Sequence, residues 1–122
     1  MSKQIIYSSK APEPIGPYSQ AVLAGNTLYI SGQIAIEEAT TADLKSETTK
    51  VMENLKAILE AAEMDMEQIV KCSIFLKSMD DFGVVNEIYG SYFKKNPPAR
   101  ETVQVACLPK NVNVEISAVA VK

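Results

Sequence analysis

The stretch Ile69-Val70-Lys71-Cys72-Ser73-Ile74-Phe75-Leu76-Lys77 decides the fold. Within it, Ile74, Phe75 and Leu76 follow one another directly instead of alternating with polar residues. Such continuity is typical of a strand that is buried on both faces. The pattern therefore predicts a strand over residues 69–77 in the interior of a sheet.

Helical patterns flank this strand on both sides. Upstream, from Thr41, apolar residues recur with a period of 3.6 and charged residues lie on the opposite face, which predicts an amphipathic helix lying on a sheet. Its apolar positions are Leu44, Val51, Leu55, Ile58, Leu59 and Ala62. Downstream, Ser78, Asp80 and Asp81 favour a helix start, and Pro97-Pro98 would end that helix. Its apolar stripe is Phe82, Val85, Tyr89, Tyr92 and Phe93, which we interpret as core residues.

Further strands are predicted towards both ends of the chain. They cover residues 4–7, 21–24 and 27–34, with Gly25-Asn26 as a hairpin turn, and then 102–108 and 112–121 around Pro109-Lys110-Asn111. The order βββαβαββ favours an α+β fold with two helices on one face of a mixed, mostly antiparallel sheet. The last strand carries apolar residues on both faces, so the second face needs a cover, which a homo-oligomer would supply.

Length and composition indicate an ordinary globular protein. The 122 residues, 47 % apolar and 22 % charged, are expected to form one domain over residues 1–122. No segment has the roughly 18 apolar residues of a membrane helix and the N-terminus lacks a signal peptide, so a cytoplasmic protein without a membrane partner is expected. Cys72 and Cys107 are expected to be buried thiols rather than a disulfide.

The absence of histidine restricts the possible chemistry. It removes the usual general base, the Ser/His and Cys/His catalytic pairs and most zinc sites. A net charge of −3 also argues against nucleic acid as a partner, because such surfaces need clustered Lys and Arg.

A few polar residues are candidates for a site. Arg100 follows Pro97-Pro98-Ala99, and its guanidinium is either a two-pronged anchor for a carboxylate or half of a surface ion pair. Glu115 lies between Val114 and Ile116, where a buried carboxylate needs a partner or a task. Tyr18 and Ser31, taken singly, are interpreted as residues that close turns.

Taken together, the motifs resemble one family along nearly the whole chain. Their order and spacing are similar to those of the YjgF/Rid (reactive intermediate deaminase) family. The matching segments are Ile15-Gly16-Pro17-Tyr18-Ser19-Gln20-Ala21, Ile30-Ser31-Gly32-Gln33-Ile34, Asn54-Leu55, Val70-Lys71, Asp81-Phe82, Val85-Asn86, Pro98-Ala99-Arg100, Leu108-Pro109 and Val114-Glu115-Ile116. The resemblance implies a chorismate-mutase-like fold and a homotrimer, in which the sheets form an inner barrel and sites lie between subunits.

The resemblance also implies an activity and its residues. The reaction would be hydrolysis of 2-aminoacrylate (2-iminopropanoate) or 2-iminobutanoate to a 2-keto acid and ammonia, without cofactor or metal. Arg100 would bind the substrate carboxylate and Glu115 would handle the water, as catalytic residues. Substrate-binding positions would be Tyr18, Ser31, Gly32, Asn86 and Thr102. The alternatives are a regulator that binds keto acids without turnover and, with less support from the acidic charge, a ribonuclease or translation inhibitor.

Several residues depart from the family pattern. Thr102 stands where many members have cysteine, so the reaction would not depend on a thiol nucleophile. Glu101 replaces a small residue, Glu47 a frequent glutamine and Ser117 a second acid in the last strand. Glu63 stands where a helix-ending glycine is usual, which predicts a less sharp helix end. The added acids would be expected to alter substrate preference.

Overall fold

A computed structural model describes residues 2–122, which form six strands and three helices. The strands are β1 Lys3–Ile6, β2 Ala21–Ala24, β3 Thr27–Gln33, β4 Ile69–Leu76, β5 Ala99–Gln104 and β6 Val114–Val121. The helices are α1 Ile36–Ala39, α2 Leu44–Ala61 and α3 Phe82–Gly90. The short α1 was not expected from the sequence.

The strands pair into one sheet in the order β1-β2-β3-β6-β4-β5. Only β4 and β5 run parallel, while all other neighbours are antiparallel. The predicted α+β fold with a mixed, mostly antiparallel sheet is confirmed. No helix in residues 2–122 has the length and apolarity that crossing a membrane requires.

Helix α2 buries its apolar stripe against one face of the sheet. Val51, Leu55, Ile58 and Leu59 have no exposed surface, as the periodicity predicted. Burial of a side chain of this size contributes about 1.5–3 kcal/mol. The helix begins where the Asp43 carboxylate accepts a hydrogen bond from the Ser46 amide at 3.2 Å. We call the helix-covered surface the helix side of the sheet and the opposite surface the open face.

The end of α2 is sharper than expected. Glu63 adopts a left-handed backbone with φ of 58°. The Met64 amide donates to the Leu59 carbonyl and the Glu63 amide to the Glu60 carbonyl, each at 2.9 Å. These bonds close a left-handed cap of the Schellman kind, which usually has glycine at this position. The expectation of a less sharp end is wrong, because the chain accepts a strained glutamate there.

Glu47 ties α2 to the start of β6. The residue is 1 % exposed. Its carboxylate accepts hydrogen bonds from the Asn113 amide at 2.8 Å, from Asn113 Nδ2 at 2.6 Å and from the Val114 amide at 3.3 Å. A buried carboxylate is tolerable when its oxygens are hydrogen-bonded in this way. The acid that replaces a frequent glutamine therefore has a structural role.

The segment around Pro97-Pro98 differs from the prediction. Helix α3 ends at Gly90, where tight turns replace α-helical hydrogen bonds and the Ser91 hydroxyl donates to the Ile88 carbonyl at 2.6 Å. Strand β5 begins at Ala99 and not at residue 102. The proline pair mainly sets up the strand, because proline favours an extended conformation in the residue before it and cannot extend a helix.

The open face remains uncovered in the single chain. Strand β4 lies between β6 and β5 as predicted, but it buries only its helix side, through residues such as Cys72, Ile74 and Leu76. Burial on both faces is therefore wrong for the isolated chain. Across the open face, Tyr29 is 53 % exposed and pairs with Val119. Cover by a further copy of the chain stays a prediction.

The two cysteines have different surroundings. Both are free thiols, as expected, and Cys72 is buried. Cys107 is exposed, so its predicted burial is wrong. It lies beyond the end of β5, in the turn that leads to Pro109, and not in a strand.

Candidate active site

Arg100 lies on the helix side of β5. The register pairs it with Cys72 of β4, whose side chain is buried beneath the helices. Directly paired residues of neighbouring strands point to the same face of a sheet. Arg100 is therefore directed towards α3 and away from the open face.

Three residues of α3 surround the Arg100 guanidinium. Its Nη1 donates to Asn86 Oδ1 at 2.7 Å. Its Cζ lies 5.7 Å from the centre of the Phe82 ring and 5.1 Å from that of Tyr89. Both distances fall within the range of cation–π attraction. Arg100 is thus held by one hydrogen bond and two aromatic rings.

The layer below Arg100 is apolar and largely desolvated. Burial raises the pKa of the Cys72 thiol, and burial is also the largest cause that raises the pKa of the Tyr89 hydroxyl. Because both pKa values are raised, the thiol and the hydroxyl are neutral neighbours, and the hydroxyl makes no hydrogen bond of ordinary geometry. The low dielectric strengthens the attraction between the guanidinium and an anion placed against it.

Thr102 shares the helix side with Arg100. The parallel pairing places it opposite Ile74 of β4, one row along the sheet. Its Oγ1 is buried and has no hydrogen-bond partner in the chain. A buried hydroxyl without a partner is uncommon and requires an explanation. The site contains an unused donor and acceptor close to the arginine.

Glu115 lies on the open face. The antiparallel pairing of β4 with β6 places it opposite Phe75, whose row faces away from the helices. Its carboxylate packs so closely on the β3 backbone that a Cβ on Gly32 would lie 2.0 Å from Oε2. Burial raises the pKa of Glu115 above its ordinary value of 4.5. Such a carboxyl is better suited to exchange a proton near neutral pH than an exposed one.

Tyr18 and Ser31 hold the loop beside Gly32 in place. The Ser31 hydroxyl donates to the Ser19 carbonyl at 2.6 Å. The Tyr18 hydroxyl accepts from the Ile15 amide at 3.2 Å, while the ring itself is 47 % exposed. Tyr18 and Gly32 also line the same small cleft. Their structural interpretation is therefore supported, and the exposed ring remains free for other contacts.

The seven predicted residues form two separate groups. Arg100, Asn86 and Thr102 lie on the helix side, whereas Glu115 lies against Gly32 on the open face. Arg100 and Glu115 also differ by three residues along the strands and by two strands across, which separates their backbones by roughly 14 Å. One chain does not bring the two predicted catalytic residues together.

Glu101 is directed away from Arg100. Its carboxylate accepts a hydrogen bond from Ser73 and pairs with Lys71 Nζ at 3.0 Å on the open face. The Ser73 hydrogen bond and then the Lys71 contact lower the pKa of Glu101. Glu101 therefore has no contact with Arg100 through which it would alter substrate preference.

Phe82 and Tyr89 were not recognised as site residues from the sequence. Together with Asn86 they occupy positions i, i+4 and i+7 of α3, which fall on one helix face. The interpretation as core residues is confirmed for Tyr89, which is 4 % exposed, and is wrong for Phe82, which is 36 % exposed. An asparagine set between two aromatics at this spacing is the pattern that would have revealed them.

Comparison with known proteins agrees with this architecture. The sequence model of the family described as Endoribonuclease L-PSP matches residues 8–122. A RutC family protein of Pyrococcus horikoshii is 48 % identical over 98 % of both chains, and the human 2-iminobutanoate/2-iminopropanoate deaminase is 44 % identical over 98 % of this chain and 90 % of its own. The crystal structure of Escherichia coli TdcF with bound serine superposes with a TM-score of 0.91 at 38 % identity and covers 98 % of each chain.

These matches define a small α+β protein of the Endoribonuclease L-PSP class. The chain belongs to the YjgF/Rid family, as its ordered motifs indicated.

Proposed function

We propose that this protein hydrolyses 2-iminobutanoate and 2-iminopropanoate, the latter also present as its enamine 2-aminoacrylate, to 2-keto acids and ammonia. The observation that carries the proposal is Arg100, a guanidinium held by Asn86 and two rings above a desolvated layer. This arrangement fits a small carboxylate. The human relative named for this reaction supports the assignment.

The reaction requires a carboxylate anchor and one group that transfers protons. Arg100 binds the substrate carboxylate through charge-assisted hydrogen bonds. Glu115 accepts a proton from a water molecule while the oxygen of that water bonds to the imine carbon. Glu115 then returns the proton to the nitrogen, which gives an adduct with one hydroxyl and one amino group. The hydroxyl group of this adduct then loses its proton, which Glu115 passes to the nitrogen as the C–N bond breaks, so that ammonia leaves and the carbonyl forms. The raised pKa of Glu115 suits both transfers. These steps do not require histidine, which the chain lacks.

Each site is proposed to combine two copies of the chain. A four-carbon keto acid with C–C bonds of about 1.5 Å spans roughly 5 Å. Within one chain, Arg100 and Glu115 extend from opposite faces of the sheet, so one such molecule does not contact both. Because the two residues lie on different surfaces, their meeting requires a head-to-tail contact, which forms a ring when the rotation between copies closes. We propose the homotrimer of the family, whose sheets would cover the open face.

Two alternative functions predict different results. A keto-acid regulator would use the same Arg100 contacts without turnover. A ribonuclease fits the family description, yet the net charge of −3 and the absence of histidine argue against it. We also propose that residues 1–122 act as one domain in the cytoplasm, which the two free thiols support.

The test couples a threonine or serine dehydratase to the purified protein and follows keto-acid release above the spontaneous rate. Wild type should accelerate release, and Arg100→Ala and Glu115→Ala should abolish the acceleration. Lys56→Ala and Glu60→Ala remove equivalent charges from the exposed face of α2 and should have no effect. Binding of 2-oxobutanoate in calorimetry without acceleration would establish the regulator instead, and RNA cleavage that survives Arg100→Ala would point to a different site.

Sharing of the site between subunits has its own test. Arg100→Ala and Glu115→Ala chains are unfolded together and refolded as an equal mixture. If each site takes Arg100 from one chain and Glu115 from the next, each mixed trimer has about one intact site in three, so about a quarter of the activity returns over all randomly assembled rings. No recovery from mixed oligomers would show that the two residues do not act together across an interface.

A further inference from the structure

The α3 residues Phe82 and Tyr89 both lie beside the Arg100 guanidinium. Both rings lie within 6 Å of the guanidinium carbon, on either side of Asn86 along the helix. A guanidinium carries five N–H donors, and only one of them is engaged by Asn86. Aromatic faces attract the cation without consuming its in-plane donors.

An arginine side chain is otherwise highly mobile. Immobilising one on binding costs about 0.5–1.5 kcal/mol, which corresponds to a loss of roughly two- to twelvefold in affinity. Contacts that already hold the side chain in the free protein avoid this loss. Tyr89 is 4 % exposed and packs against Phe93 with ring centroids 4.9 Å apart and planes tilted by 50°, so its own ring is fixed.

We propose that Phe82 and Tyr89 form an aromatic clamp that pre-organises Arg100 for carboxylate binding, as positioning residues and not as catalytic ones. This inference rests on the proposed function for its consequence but not for its geometry. The ring of Tyr89 holds Arg100, and its hydroxyl does not, because that hydroxyl has no hydrogen-bond partner.

Arg100 is the only arginine among the 122 residues, so a single Nε–H resonance reports on it in a ¹⁵N-labelled sample of the full chain. In wild type its order parameter should approach the value of about 0.85 that rigid backbone shows. In Phe82→Leu it should fall below about 0.6. Phe82 is 36 % exposed, so this variant is expected to fold.

Affinity for 2-oxobutanoate supplies the second measurement. Its Kd should rise about fivefold in Phe82→Leu and stay within twofold of wild type in Tyr89→Phe, which keeps the ring. A mobile Arg100 in wild type, or an unchanged Arg100 resonance in Phe82→Leu, would overturn the clamp. So would a fivefold loss of affinity in Tyr89→Phe, since the hydroxyl would then be the acting group.

Failure of the proposed function has a different signature. If wild type neither binds 2-oxobutanoate nor accelerates imine hydrolysis, yet Arg100 is rigid and becomes mobile in Phe82→Leu, the clamp stands and the assigned substrate is wrong. If wild type is active and binds the keto acid while Phe82→Leu changes neither its Kd nor the Arg100 resonance, the proposed function stands and the clamp is wrong.

Discussion

Replacement of Gly32 by alanine tests whether the Glu115 carboxylate must lie against the β3 backbone. The new Cβ would lie 2.0 Å from Glu115 Oε2, 2.8 Å from Cδ and 3.0 Å from Cγ. To reach ordinary contact, the carboxylate must shift by about 1.4 Å. Because the clash is with the end of a flexible side chain, the backbone itself has no reason to move.

The magnitudes separate catalysis from stability. A misplacement of about 1 Å at a reacting group can cost about 100-fold in rate, so kcat of Gly32→Ala should fall by about that factor. The free energy of unfolding should change by less than about 1 kcal/mol, since a strained rotamer is offset by the lower entropy of an unfolded chain with alanine.

Gly90→Ala is the matched control. A Cβ at Gly90 has no neighbouring atom within 4 Å, so this variant should keep wild-type activity. Kinetics in the coupled assay and urea unfolding at one fixed protein concentration provide the two readouts. Activity of Gly32→Ala within threefold of wild type would refute the argument, and so would a loss of stability above about 3 kcal/mol, because the carboxylate would then be unable to yield.

Further substitutions test other parts of the structure. Because burial raises the pKa of Glu115 above 4.5, activity should increase with pH through a midpoint above that value as the carboxyl loses its proton, and a limb that persists in Glu115→Gln would assign it elsewhere. Glu47→Ala should lower the free energy of unfolding by about 3 kcal/mol and Glu47→Gln by about 1 kcal/mol in urea titrations, and equal losses would contradict the role of its hydrogen bonds. Glu63→Gly should add about 1 kcal/mol by relieving the left-handed backbone, and a destabilised variant would argue against that strain. Tyr29→Glu should dissociate the oligomer in sedimentation, whereas an intact trimer would remove the open face from the interface.

The sequence predicted best those elements in which one pattern served one purpose. Helix α2 needed only an apolar stripe, and five of its six predicted residues, all but the partly buried Leu44, are buried. Around Pro97-Pro98 two interpretations competed, because a proline pair can end a helix or begin an extended segment. The sequence pattern predicts that the pair ends the helix, whereas α3 ends at Gly90 and β5 begins at Ala99.

The candidate site was harder to predict for a physical reason. Residue types and the family resemblance identified Arg100 and Glu115, but the face that each one occupies depends on strand register, which long-range pairing decides. Phe82 and Tyr89 escaped notice because the helix face that packs on the core also faces the arginine. Periodicity along the helix shows which residues share this face, but it does not show which of them pack on the core and which contact the arginine.

The register that keeps Arg100 on the helix side depends on contacts of Arg100 itself. Strand β5 is an edge strand, and a slip of one residue against β4 would turn its side chains to the opposite faces. Two hydrogen bonds oppose such a slip. Arg100 donates to Asn86 in α3, and Gln104 Oε1 accepts from the amide of Met79, which lies just before α3, at 2.9 Å. One link lies near each end of the strand. The hydrogen bond that orients the carboxylate anchor therefore also helps to fix the strand that carries it, so loss of Asn86 should disturb binding and register together.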